Sequence, residues 1–486
     1  MKQRSRIVRG LAVLAVTSLT VAACGGDDDD DSAEPAAETT AAAEPTAEEP
    51  AAEEPAAEEP AADTTMAEEP SAEEPAADTT MAEEPSAEEP ASMEPPAEAP
   101  GFDGEKFTVG IITDQSGPAA VIGGPLTNGL EVFFQGYNAR TGGVAGMYPI
   151  ETEVVDSQYN ASQAVQQYGA IKDDVAVVSS LGTAVTLAVL EGLKEDSKVG
   201  APQSLDSFWA REPNLLPIGA PYQLQGINGI NYAYTEGGAS ADTDVLCVFM
   251  QDDAYGEAGL EGVQFAADNL GLEVASVARY TSGDTDFTTQ ITQLQGDGCT
   301  VVWLNALPSV TGGALGKAAE VGFAPHWYAQ SPTWIGALAA SPLAPYLQAN
   351  FTWVSEGTQW GDDSVPGMAQ MIADVAEYSP DQEPDVYFVF GYNQASAIAS
   401  LFEEAVANGD VSGEGLIAAM ETMTTDFGGL LGDWTYGPAD TRTPPIISSI
   451  YAVNPDLFEE TGGLEVVARD VEAPFAGDFE FVARDG

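Results

Sequence analysis

Between Lys106 and Ser331 short apolar runs alternate with helix-patterned ones at close spacing, and the alternation occurs twice. KFTVGIITDQSG at 106–117 reads as a buried strand entering a Gly/Ser turn. TNGLEVFFQGYNARTGG at 127–143 has helical spacing and stops at a glycine pair. YPIETEVVDSQYN, VAVVSSLGT and VGAPQS read as further strands, with ASQAVQQYGAIKDD and AVTLAVLEGLKED as the helices between them. The pattern restarts at TDVLCVFMQDDAYGEAGLEGVQFAADNLG, 243–271, and runs through LEVASVARY, FTTQITQLQGDG, CTVVWLNAL, GGALGKAAEVGF and APHWYAQS. Strands this apolar, separated by helices, require a parallel sheet covered on both faces. The expected fold class is therefore α/β, with two doubly wound lobes side by side. Ligands of such sheets bind at the carboxyl ends of the strands, where the loops of both lobes face a shared crevice.

The amino-terminal part cannot share in that fold. From Asp27 to Pro100 there is no lysine, arginine or aromatic residue, while aspartate and glutamate recur throughout. DTTMAEEPSAEEPAA at 63–77 returns at 78–92 with one change. Such a segment buries too little apolar surface to offset its conformational entropy. Residues 24–104 are accordingly expected to be a disordered acidic linker, extended by its charge and prolines. Over the whole chain 15 Lys and Arg face 78 Asp and Glu, a formal net charge of −63. That balance, with no basic patch, excludes nucleic acid as a partner.

Lys2, Arg4, Arg6 and Arg9 precede an apolar run from Leu11 to Ala23. The run falls short of the roughly 20 residues that span a bilayer, and its order is that of an export leader. VAAC, Val21 to Cys24, resembles a bacterial lipobox. The resemblance implies a leader over 1–23 and a lipid on Cys24, which would anchor the chain to the outer face of a cell membrane. The alternative is ordinary cleavage with Cys24 left as a free thiol. Cys247 and Cys299 sit on or beside two apolar runs read as neighbouring strands of one lobe. Outside the cytoplasm a disulfide is permitted, and two buried thiols fit the sequence equally.

The segment from VGIITDQSG to QYNASQAVQQ resembles the opening of the type I periplasmic solute-binding proteins, in particular the leucine/isoleucine/valine-binding family of branched-chain amino-acid ABC transporters. DDAYGEAG at 252–259, KAAEVGF at 317–323 and FGYNQASAIASLFEEA at 390–405 follow in the family's order, so the resemblance covers 106–450. It implies two lobes, 105–235 plus 354–440 and 236–353 plus 441–486, joined by a three-strand hinge and closing on a small solute. It also implies a monomer that delivers the solute to an ABC transporter permease, without cofactor or metal. A sensory receptor reporting to a membrane kinase is the alternative. An enzyme is not expected: His326 is the one histidine, and no hydrolase or metalloprotease motif is present.

Carried over position by position, the resemblance places ligand contacts at Ser116, Thr183, Ala184, Gln203 and Ser204 in the first lobe. It adds Tyr255 and Ser331 in the second, and Tyr387. Ser331, with Gln330 beside it, stands where the family has an acid for the ligand's α-ammonium. Leu307 and Ile122 stand at positions the family often gives to aromatic residues. Asp114, Asp252 and Asp253 are the acids able to substitute from other loops. A buried ammonium without a carboxylate is costly, so the expected ligand is an amide, a short organic acid or an aromatic acid, with a branched-chain amino acid kept open if one of those aspartates substitutes.

Overall fold

The computed structural model describes residues 95–383 and 385–483; the leader, Cys24 and most of the acidic segment lie outside the described residues. The first sheet is built from β1 (Phe107–Thr113), β2 (Ile150–Asp156), β3 (Val177–Leu181) and β4 (Val199–Gln203), all parallel, in the order β2-β1-β3-β4. Between them run α1 (Ala120–Thr141), α2 (Ala161–Ile171) and α3 (Thr183–Glu195). The glycine pair after α1 acts as expected: Gly142 closes the helix with φ 84°, a conformation that costs glycine little. Successive residues of a strand face opposite sides. Ile111 accordingly belongs to the buried cluster that holds Leu130 and Phe133 of α1, whereas Ile112 belongs to the one that holds Ala164 of α2 and Val189 of α3.

The second sheet follows α4 (Tyr222–Thr235) and contains β5 (Leu246–Gln251), β6 (Val274–Tyr280), β7 (Val301–Asn305), β8 (His326–Gln330) and β9 (Phe351–Ser355). Its helices are α5 (Ala254–Leu270), α6 (Thr288–Gly296), α7 (Pro308–Glu320) and α8 (Ala344–Asn350). Then come α9 (Pro366–Tyr378), α10 (Val386–Asn408), α11 (Gly413–Met420), and a small hairpin of β10 (Thr424–Thr425) and β11 (Trp434–Thr435). Finally β12 (Ser448–Val453) and β13 (Leu464–Val471) complete the second sheet in the order β13-β12-β9-β8-β7-β5-β6. The run from β6 to β9 is parallel, but β12 and β13 join antiparallel at one edge. Met250 and Trp303 face α4 and α5, while Phe249 and Leu304 face α6 and α7.

Helices α9, α10 and α11 return to the first sheet, where α10 lies along α1 and touches β4. The chain therefore passes between the two layers three times, after β4, after β9 and after β11. The first and third passages are tied together: Tyr436 Oη donates to the Pro217 carbonyl at 2.8 Å, and the buried Arg442 donates to that of Leu215 at 3.0 Å. Cys247 on β5 and Cys299 just ahead of β7 form a disulfide, with Cα atoms 5.9 Å apart. Among the described residues no helix is long and apolar enough to cross a membrane.

Three limits differ from the sequence reading. Packing starts before residue 105, because Phe102 is buried and stacks on Phe107 with ring centroids 4.6 Å apart. Helix α4, expected in the first lobe, packs against α5, β8 and β12 instead. Residues 354–355, also assigned to the first lobe, are the end of β9 in the second sheet.

Candidate functional site

A cleft with a cavity volume of about 50 Å³ lies where the carboxyl ends of both sheets meet. Most of its lining is apolar or aromatic: Leu126 of α1, Leu205, Leu307, Trp353 of β9 and Phe390 of α10 are examples, with four tyrosines. Among the described residues that line it, none is Lys, Arg or His.

One wall is polar. Strand β3 ends at Leu181, paired with Gln203 of β4, and Gly182 turns the chain into α3 at φ 99°. A side chain on Gly182 would strike the Tyr159 ring, so the turn must stay bare for that tyrosine to line the cleft. Gly182 gives α3 no side-chain cap, which leaves its first amides free to serve an acceptor. Beside them Thr183 Oγ1, Gln203 Oε1 and Ser204 Oγ are buried, at 1%, 4% and 3% exposure, and none has a hydrogen-bond partner. Gln203 cannot simply turn away, because its Nε2 donates to Ser179 Oγ at 2.8 Å. Ser179 in turn donates to Gln394 Oε1 at 2.6 Å. Leaving three such groups unpaired is costly, and a ligand's polar end relieves that cost.

The opposite wall comes from the second sheet. Tyr255, at the start of α5, directs its hydroxyl toward the carbonyls of Ala306 at 3.5 Å and Ser331 at 3.4 Å. Tyr387 at the start of α10 donates to the carbonyls of Pro332 and Trp334, so a helix packed on the first sheet is bonded to the loop after β8. Burial holds the hydroxyls of Tyr222, Tyr255 and Tyr387 well above the usual phenol range, so they stay neutral donors. Ser331 donates through Oγ to Glu356 Oε2 at 2.6 Å and through its backbone amide to Gln225 Oε1 at 2.9 Å.

Glu356 is the cleft residue the sequence reading missed. It follows β9 directly, is 9% exposed, and lines the cavity. Burial raises its carboxyl, against hydrogen bonds from Ser331, its own backbone and Ser355. The premise that this pocket lacks an acid is therefore corrected. None of the three expected substitutes lines the cavity. Asp114 accepts the amides of Ser116, Gly117 and Ala119 and holds the loop before α1. Asp252 pairs with Arg279 at 2.9 Å on the surface, and Asp253 caps α5.

Thr183, Gln203, Ser204, Tyr255, Ser331 and Tyr387 all line the cleft, as do Ile122 and Leu307. Ser116 does not: it is exposed and donates to Asp156 at 2.7 Å. Ala184 also lies outside the lining, and Gln330 is buried with Oε1 accepting from Trp303 at 3.2 Å. His326 sits at the other end of β8, bonded to Thr352 at 2.8 Å, where burial lowers its pKa.

Two parallel-sheet layers, a chain that crosses between them three times and an interlayer cleft define a bilobed binding fold. Residues 106–454 match the model of the periplasmic binding protein family, and the chain belongs to that family. Among solved structures, a fatty acid ABC transporter substrate-binding protein from Thermomonospora curvata superposes with a TM-score of 0.73 at 24% identity, over 80% of this chain and 98% of its own. A branched chain amino acid ABC transporter protein from Thermus thermophilus with bound valine gives a TM-score of 0.63 at 17% identity, covering 77% and 97%. A leucine binding protein from Thermotoga maritima gives 0.61 at 16% identity, covering 74% and 97%. No curated protein matches the chain. At these identities the likeness establishes the fold, and the ligand has to be argued from the cleft.

Proposed function

We propose that this protein is the solute-capturing component of an ABC importer, working as a monomer outside the cytoplasm on a tether anchored through Cys24. It takes up an amphipathic solute with a carboxylate or carboxamide end and an aliphatic or aromatic body, and performs no catalysis. The observation that carries the reading is the contrast within one cavity: unpartnered Thr183, Gln203 and Ser204 beside the uncapped start of α3, facing walls that are mostly apolar. The helix amides and two hydroxyls suit an acyl oxygen, Gln203 Oε1 suits an amide N–H, and the apolar walls suit the remainder. The structural likeness to a fatty acid ABC transporter substrate-binding protein agrees with this division.

A thermal-shift panel of aliphatic and aromatic acids, their amides and branched-chain amino acids tests the reading. Saturating ligand at 100 times its Kd stabilises by about 2.7 kcal/mol. An acid or amide is expected to raise the melting temperature, and Ser204→Ala to weaken its binding by roughly 10- to 100-fold, the worth of one hydrogen bond to a charged group. A response confined to amino acids, or binding untouched by Ser204→Ala, would sink the assignment.

A further inference from the structure

A free-acid solute brings a carboxylate into a cavity whose lining already holds a second carboxyl, that of Glu356. No basic side chain among the described lining residues balances the two. Glu356 accepts its hydrogen bonds from neutral groups. From the loop after β8 comes the Ser331 hydroxyl at 2.6 Å, and from its own strand the Ser355 hydroxyl at 3.3 Å. Gly219, in the first passage between the layers, lies against its Cβ. The titratable neighbours are the hydroxyls of Tyr222 from α4, Tyr387 from α10 and Tyr451 from β12, all neutral at ordinary pH. Arg469 and Asp362 act on Tyr451 and are bonded to each other.

We propose that Glu356 sets the charge state the cleft accepts: an acid ligand is captured together with one proton, carried on the Glu356 carboxyl. This rests on the carboxylate side of the functional reading above. Two like charges in one low-dielectric cavity repel, and the less costly arrangement leaves one of them neutral. Burial already biases Glu356 toward its neutral form in the empty cleft, and an arriving carboxylate moves it further the same way. Binding then takes up a proton, so affinity must fall as pH rises through the range where the free cleft ionises. The limiting slope is about tenfold per pH unit for one linked proton. Selectivity follows as well: a neutral amide of the same body carries no such dependence.

The test uses the full chain with octanoate as the acid and octanamide as its neutral counterpart. Dissociation constants are read from tryptophan fluorescence, with Trp353 in the cleft wall, between about pH 5.5 and pH 8.5, above the range where the probe's own carboxyl titrates. Octanoate binding that weakens with pH, beside flat octanamide binding, is the expected result. Glu356→Gln, which fixes the neutral form, should bind octanoate more tightly than the unsubstituted protein at the alkaline end and without the slope. Flat octanoate binding in the unsubstituted protein overturns the proposal, whatever the variant does. Octanamide bound while octanoate is rejected at every pH overturns it too, but leaves the amphipathic-solute reading standing. Leucine bound tightly, with neither probe bound and the affinity lost in Glu356→Gln, removes both and makes Glu356 the partner of an ammonium.

Discussion

Replacing Gly391 with valine is expected to strip the first sheet of part of its helical cover and to leave little stably folded protein. Helices α1 and α10 approach through two glycines. A Cβ on Gly391 would fall on the carbonyl oxygen and carbon of Leu126, and one on Gly129 would meet the backbone of Phe388 and Tyr392. Backbone cannot give way as a flexible side chain can, so the helices must separate. Overpacking a core costs about 1–3 kcal/mol and occasionally more. Here the separation also loosens Leu126, Leu130, Phe133, Phe388 and Tyr392, all buried in one cluster. Circular-dichroism melting checks this, with Gly124→Ala on the same α1 as control. A Cβ there meets nothing within 4 Å, so helix propensity alone should leave that variant as stable or slightly stabler. A Gly391→Val protein that melts with the unsubstituted chain would show that the helices do not meet this closely.

Removing the disulfide with Cys247→Ser and Cys299→Ser is expected to lower stability by about 4 kcal/mol, from the loop entropy that closing 52 residues takes out of the unfolded chain. The bridge joins β5 to the segment just ahead of β7, next to the β6 edge of the second sheet, and both cysteines are buried. The loss should therefore appear in melting before it appears in ligand binding, since neither cysteine lines the cleft. A strong reductant under partly denaturing conditions should reproduce the shift. Equal melting temperatures with and without the bridge would mean that the unfolded chain is compact enough to lose nothing by release.

The β/α alternation was readable because buried parallel strands must be apolar along their whole length, as FTVGIIT and VVWLN are. The cleft's location followed from strand direction, which is why Thr183, Gln203, Ser204 and Ser331, each at or just past a strand's carboxyl end, lie in its lining. What escaped was whatever depends on which layer an element joins. Helix α4 carries buried residues on nearly every face, so its pattern names no partner, and proximity to β4 assigned it to the wrong sheet. Glu356 escaped for a related reason. A glutamate beside a glycine after FTWVS reads as a solvent-facing turn, and only the arrival of α4 and α10 closes that end of β9. The available signal was its place, one residue past a parallel strand. Ser116 illustrates the reverse error: a Gly/Ser turn after the first strand looks made for a ligand, but Asp114 and Asp156 already occupy its donors.

The threefold passage of the chain between its layers also fixes an order in time. Helix α1 is among the first segments to be made, and the face that carries Leu126, Leu130 and Phe133 has its partner in α10, which is synthesised only after the entire parallel run of the second sheet. A chain emerging from its amino terminus thus lays down the five parallel strands of the later-made lobe while the earlier one still waits for its roof. Nothing cut short near β9 is half a trap. It is a chain with one wall unfinished, and the polar pocket at Thr183 and Ser204 has no Tyr387 or Phe390 to close against.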